Sequence, residues 1–238
     1  PSRRNAEPGG LVAVWRRRGP LAWLLFPFSL LFSTLVSVRR TLFDLGILRR
    51  QSLPVPVVIV GNLSVGGTGK TPLVIHLAQM LRNLGRHPGI ISRGYRGTSA
   101  EVAEVLPSGD PARFGDEPLL LARRSTCPVF VGRDRTAAAR ALLAAHPDCD
   151  LLLSDDGLQH YRLPRELEIA VFDERGLMNG WCLPAGPLRE PVSRLKGVDA
   201  VVLNGSARSP VAAIECPIFV MRLQGSLFHR LGDPRIEC

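Results

Sequence analysis

The sequence has no C-x-x-C pair, and its five cysteines (Cys127, Cys149, Cys182, Cys216, Cys238) are odd in number. Such a set builds neither a disulfide framework nor a thiolate metal site, so the cysteines read as reduced thiols of a cytosolic domain, mostly in packing roles. Internal repeats and low-complexity blocks are also missing, and the 23 glycines and 20 prolines are scattered, marking turns rather than disorder. Acid is scarce at the amino-terminal end. Residues 1–50 hold nine arginines against Glu7 and Asp44, a surplus of seven out of a net charge of +9. The remaining chain is therefore close to neutral. It lacks the basic face, interleaved with aromatics, of a nucleic-acid binder. Charge that flanks an apolar segment points instead to an anionic membrane surface.

That apolar segment is residues 19–38, which contain no charged side chain and lie between Arg16–Arg18 and Arg39–Arg40. Twenty helical residues span about 30 Å, the thickness of a bilayer's hydrocarbon core. Three readings stay open: a helix dipping into the membrane interface, a true span, or a buried helix of a soluble domain. Pro27 is tolerable in a membrane helix. A cleaved signal peptide fits least, because no small-x-small cleavage site follows.

Residues 55–61 (V-P-V-V-I-V-G) form a short β-branched run of the kind seen in buried parallel strands. A glycine-rich stretch follows, N-L-S-V-G-G-T-G-K-T-P, and then an apolar stripe at Leu73, Val74, Leu77, Leu81 and Leu84 that predicts a helix over 71–84. Strand, glycine-rich loop and helix in this order are the context of a P-loop. Ser64, Val65, Gly66, Gly67, Thr68, Gly69, Lys70 and Thr71 are thus the candidate nucleotide-binding residues. Glycines let the backbone wrap the phosphates, and helix-start amides point at the anion. Lys70 would reach the β/γ-phosphates and the Thr71 hydroxyl would bind Mg²⁺. Ser64 stands where the strict pattern has glycine.

A second apolar strand, L-L-L-S-D-D-G (151–157), ends in two carboxylates. An aspartate at the end of a strand beside a P-loop helps hold Mg²⁺, which makes Asp155 and Asp156 the metal candidates. Adjacent strand residues face opposite ways, so one of the pair is expected to face the metal. The alternative is a pair capping a turn. GTP switching is disfavoured, since residues 204–207 (N-G-S-A) lack the Lys and Asp of N-K-x-D.

Other candidates keep two readings each. Asp116, in G-D-E-P before a helix-like run over 119–124, is either a general base for a hydroxyl or a helix N-cap. Arg93, Tyr95 and Arg96, in S-R-G-Y-R-G after a predicted strand, either bind substrate or form a solvated basic turn. Arg189, in the Pro/Gly-rich stretch 179–191, is an anion contact or part of a structural loop. Asp134 would cap a helix over 136–145, with Arg133 and Arg135 as surface charges.

The motifs V-G-N-x-S-V-G-G-T-G-K-T-P, S-R-G-Y-R-G, G-D-E-P, S-D-D-G-L-Q-H and L-P-A-G-P-L-R-E-P occur here in the order seen in the tetraacyldisaccharide 4′-kinases. The chain resembles that family from about residue 21 to about residue 205, including the basic, apolar amino-terminal helix. The resemblance implies transfer of the γ-phosphate of ATP to the 4′-hydroxyl of a tetraacylated glucosamine disaccharide 1-phosphate. It places the work at the cytoplasmic face of the inner membrane of Gram-negative bacteria. It also implies that Asp116 is the catalytic base with Lys70 as the phosphate-side catalytic group. Asp155 and Asp156 fall on the Mg²⁺-linked pair, and Arg93, Tyr95, Gln159, His160 and Arg189 on the substrate side. The family continues into a carboxy-terminal lobe with an Asp-His-His motif; this chain, from Pro1 to Cys238, reads as a fragment that stops before it.

The expected fold is α/β, a P-loop NTPase-like, mostly parallel sheet with flanking helices, preceded by a membrane-associated helix. Strands are predicted at 55–60, 88–91, 128–131, 150–154, 168–172, 198–203 and 218–221. The expected organisation is a basic segment with the membrane helix (1–50), a kinase core (51–215) and the start of a truncated lobe (216–238). ATP and Mg²⁺ are the expected cofactors, and an acylated disaccharide phosphate and an anionic membrane surface the partners, with neither nucleic acid nor an obligate protein partner. Two rival functions are a membrane-tethered P-loop ATPase without a small-molecule acceptor and an inactive nucleotide-binding fragment.

Overall fold

The computed structural model describes residues 11–94, 102–205, 215–223, 229–230 and 233–237. Short β-branched runs become a central sheet: β1 (Val57–Gly61), β2 (Pro88–Ser92), β3 (Ala103–Glu104), β4 (Val129–Val131), β5 (Leu151–Asp155), β6 (Leu167–Phe172), β7 (Ala200–Asn204) and β8 (Ile218–Met221). Their order is β3-β4-β2-β5-β1-β6-β7-β8. Every pairing is parallel except that of β3 with β4. Parallel strands need both faces covered, and both are. On one face α3 (Lys70–Asn83) and α5 (Asp116–Ser125) pack through Leu73, Val74, Ala78, Leu119 and Leu121; on the other, α6 (Arg135–Ala145) packs Ala138, Ala139 and Leu142 against Ile91 and Leu152.

The predicted strands lie within about two residues of the observed ones. The exception is β3, a two-residue edge piece too short to leave a pattern. A short α4 (Pro111–Phe114) and a 3-10 helix (Val192–Gly197) were likewise not legible. Ile218–Met221, expected to open a further lobe, instead pairs with β7 as the edge of the core sheet. Beyond it, β9 (His229–Arg230) and β10 (Asp233–Glu237) form a separate antiparallel pair.

At the amino-terminal end α1 (Leu11–Arg16) leads to α2 (Pro20–Asp44), which runs six residues past the uncharged stretch because Arg39, Arg40 and Asp44 continue the helix. Pro20 opens it, where a missing N–H costs nothing. Ala22, Ser29 and Phe43 are its only buried residues, so it is not a core helix. Leu24, Phe28, Leu31 and Leu35 stand at least 60% exposed. By length and composition α2 is the one helix among the described residues that could cross a membrane.

Its inner face is fastened to the 179–191 loop. The Ser29 hydroxyl accepts from the Ala185 amide at 2.9 Å and Phe26 packs on Trp181 with ring centroids 4.4 Å apart, while Trp15 Nε1 of α1 donates to the Pro184 carbonyl at 2.9 Å. Beneath lies a buried charge cluster. Arg194 on the 3-10 helix pairs with Glu168 at 2.5 Å and Glu190 at 3.2 Å, Arg165 pairs with Glu168 at 2.6 Å, and the Tyr161 hydroxyl donates to Glu190.

Candidate active site

β1 lies between β5 and β6, with Val60 in register with Asp155, so the chain leaves β1 beside the carboxylates that end β5. Ligands of open parallel sheets sit outside the carboxyl ends of the strands at such a switch point. The glycine-rich loop turns there. Gly66 and Gly69 have φ of 106° and 91°, values that L side chains rarely adopt, and Gly69 is the N-cap of α3.

Lys70 and Thr71, the first two residues of α3, point at the end of β5. Thr71 Oγ1 donates to Asp155 Oδ2 at 3.3 Å, and Lys70 Nζ lies 3.6 Å from Asp156 Oδ1 and 3.3 Å from Asn62 Oδ1. The paired aspartates diverge as alternation requires. Asp155 stays on the strand, 2% exposed, facing Thr71. Asp156 takes φ 52° and swings to Lys70 and Arg189, whose Nη1 meets both its carboxylate oxygens at 3.0 Å. Burial lifts the Asp155 carboxyl to about 6; Lys70 opposes the rise, and the charges of Asp156 and Glu117 add to it. Burial also pulls on Asp156, but Lys70 and Arg189 outweigh it and hold that carboxyl low.

The 179–191 loop is stitched onto the phosphate loop. The Val65 amide donates to the Pro187 carbonyl at 2.9 Å, the Arg189 amide to Leu63 at 2.7 Å, and Ser64 forms a bridge with Leu188. Arg189 Nη1 also reaches Gln159 Oε1 at 3.2 Å, and Gln159 Nε2 returns to the Asn62 carbonyl at 3.2 Å. Lys70, Thr71, Asp155, Asp156, Gln159 and Arg189 therefore converge.

His160 sits just behind them, its Nε2 4.0 Å from Asp134, its imidazole pushed down to about 4 by burial and by Arg135. Arg93 is exposed at the end of β2, near enough for its charge to act on Arg135. Tyr95 and Arg96 lie outside the described residues. Asp116 is exposed at the start of α5. Its N-cap reading is overturned: Gly115, at φ 86° and ψ 161°, takes the cap position, and Asp116 is already in the first turn. Asp134 does cap α6, through Thr136 and Ala137. Arg135, read from the sequence as a surface charge, is 3% exposed and donates to the carbonyls of Asp155 and Asp156 at 3.1 and 3.0 Å.

The profile of the tetraacyldisaccharide-1-P 4′-kinases matches residues 21–235. The chain belongs to that family. A tetraacyldisaccharide 4′-kinase of Azoarcus sp. (strain BH72) is 55% identical over 235 residues, covering 99% of this chain and 69% of the relative. One of Herminiimonas arsenicoxydans is 56% identical over 219 residues, covering 92% of this chain and 60% of the relative. The crystal structure of LpxK from Aquifex aeolicus in complex with ATP matches with a TM-score of 0.76 at 36% identity, over 84% of this chain and 64% of that one. The chain thus spans about two thirds of the length of these relatives.

A kinase of this family needs Mg²⁺ beside its phosphate loop, and the residues fit it. Asp155 Oδ1 is buried without a partner while Oδ2 faces the Thr71 hydroxyl. No group of three or more His, Cys, Asp or Glu among the described residues makes a closed protein cage. Mg²⁺ in kinase sites keeps waters and phosphate oxygens and takes only one or two carboxylates, so an open donor set is the suitable one.

Four residues of this site escaped the sequence reading. Asn62, fully buried, braces the loop through the Gly66 carbonyl at 3.2 Å and Lys70. Asn204, ending β7, donates to the Thr68 carbonyl at 3.2 Å. Glu117 faces Asp155 electrostatically, and Arg175 lies over Gly66 and Gly67. Asn62 was legible as part of V-G-N-x-S. Glu117 was legible as part of G-D-E-P, whereas Asn204, ending β7, and Arg175, just after β6, carry no local signal.

Proposed function

We propose that this chain carries the phosphoryl-transfer site of a kinase that moves the γ-phosphate of ATP to the 4′-hydroxyl of tetraacyldisaccharide 1-phosphate. The observation that carries the reading is the meeting of Lys70 and Thr71 with Asp155 and Asp156 at 3.3–3.6 Å. In this reading the amides of residues 64–71 and Lys70 bind the triphosphate, and Thr71 and Asp155, with Asp156 beside them, hold Mg²⁺. The bound metal neutralises charge on the phosphate oxygens. Arg189, fixed by Asp156 and Gln159, presents its remaining N–H groups to an anionic substrate group, with Arg93, Tyr95 and His160 around it. Asp116, exposed in the first turn of α5, accepts the proton of the attacking hydroxyl. Phosphoryl transfer asks little covalent help of the protein, so positioning and fixed charge supply most of the rate.

The same reading places the site at an anionic membrane surface, the cytoplasmic face of the inner membrane. The exposed apolar side of α2, with arginines at both ends, supports it. The acyl chains of the acceptor then stay in lipid while its sugar reaches the carboxyl ends of the strands. Labelled γ-phosphate from ATP, supplied with and without the acylated disaccharide, tests the assignment. Label is expected on the lipid; ATP hydrolysis indifferent to the lipid would favour a tethered ATPase instead.

A further inference from the structure

Arg175 belongs to none of the motifs that pointed to the site, yet it reaches the loop at the centre of it. It follows β6 by three residues, and Asp173 fixes it at three atoms. The Asp173 carboxylate accepts the Arg175 amide at 3.1 Å and Nε at 2.7 Å, and Nη2 lies 2.7 Å from the same carboxylate. Thus aimed, Nη2 donates to the Gly67 carbonyl at 2.5 Å. Nη1 lies where a Cβ on Gly66 would come within 2.9 Å, so the glycine is what allows the guanidinium to sit there. Among the described residues no acceptor meets Nη1. The side chain remains 40% exposed. A cation is therefore held on one edge by a carboxylate and a carbonyl, its other edge open, over the loop that wraps the phosphates.

We propose that Arg175 is a catalytic residue that donates from Nη1 to the γ-phosphoryl group during transfer, an arginine finger supplied by the same chain. The proposal rests on the phosphoryl-transfer reading above. In the step itself the bond from the acceptor hydroxyl oxygen to phosphorus forms and that hydroxyl's proton passes to Asp116. The bond from phosphorus to the β–γ bridging oxygen breaks, and ADP leaves with the electron pair. Arg175 makes and breaks no covalent bond; it meets charge spread over the equatorial oxygens, which Lys70 approaches from the β/γ side. Its carbonyl and carboxylate anchors fix its position beforehand, so little reorganisation is needed.

The test compares wild type, Arg175→Ala and Arg175→Lys in the full chain, measuring kcat, the Kd of Mg-ADP and capture of the ADP–aluminium fluoride mimic of the planar phosphoryl group. For Arg175→Ala, kcat is expected to fall about 10³-fold or more and capture of the mimic to be lost. Mg-ADP affinity should move by no more than about threefold, because the missing contact is to the transferring group. Arg175→Lys should recover only a small part, lacking the planar fork. Near-normal kcat in Arg175→Ala would overturn the proposal. So would ADP affinity lost in step with kcat, since that marks a strut for the loop. Wild-type protein that captures the mimic through Arg175 but never labels the disaccharide would sink the acceptor reading and leave the arginine's role standing.

Discussion

Lys70 stands between the Asn62 amide oxygen and the Asp156 carboxylate, with an 11% exposed side chain. A cation so desolvated acts strongly on a phosphate brought beside it. Lys70→Ala is expected to cut kcat by about 10²–10³-fold, the scale of a lost charge-stabilising donor, with the fold intact by circular dichroism. Asp116→Ala should lower kcat far more than the KM for ATP, because the role proposed for its carboxylate is to take the hydroxyl proton, not to hold the nucleotide. A change in thermal stability alone would leave Asp116 without a chemical role. His160 gives a pH signature. Its imidazole is held down to about 4 in the folded protein, against about 6.5 when unfolded. The unfolded chain thus takes up the proton first. The contribution is fully present above about pH 6.5 and is lost as pH falls through about 4. His160→Asn should flatten that acid loss, by at most about 3 kcal/mol, in denaturant midpoints compared at pH 7.5 and 4.5.

Among the elements, the phosphate loop is held by neighbours distant in sequence: the 179–191 loop at Ser64 and Val65, Arg175 at Gly67, and Asn204 at Thr68. The 179–191 loop hangs in turn on the 3-10 helix, through the Glu190–Arg194 and Glu168–Arg194 pairs. Arg194→Ala would leave two buried glutamates with only Arg165 paired to Glu168 and the charges of Arg40 and Arg165 acting on Glu190. The expected cost is about 3–5 kcal/mol in urea melts, and the nucleotide site should loosen before global unfolding. Strands and amphipathic helices were legible because their apolar periods are local. The 3-10 helix was not, because it is held by those distant contacts, and β3 was not, because two residues leave no period. The start of α5 shows the same limit: spacing allowed a cap at Asp116, and only the backbone angles of Gly115 moved it one residue back.

For the whole molecule, α2 places an apolar surface beside the 179–191 loop. Leu24, Phe28, Leu31 and Leu35 point away from the face that grips Trp181 and Ala185. Each side chain gains roughly 1.5–3 kcal/mol on leaving water completely. Replacing all four by Gln should release the protein from anionic vesicles in a flotation assay while its melting temperature stays near wild type. Removing residues 1–38 should release it too, but with lower stability, because Pro184 and Ala185 of the 179–191 loop lose their partners Trp15 and Ser29. Retention of the four-Gln variant on vesicles would mean that another surface binds lipid.

Chemistry written in contiguous residues was decided by the sequence alone. The strand–loop–helix context, the Lys70–Thr71 pair, the strand ending in Asp155 and the uncharged helix each depend on spacing along one segment. Tertiary structure decided which aspartate faces Thr71, that Arg135 is buried behind the pair, and that Arg175 and Asn204 reach the loop. Those outcomes depend on strand order: β5 and β6 flank β1, and β7 follows β6. Parallel pairing joins residues about a hundred positions apart, and no local pattern encodes that neighbourhood.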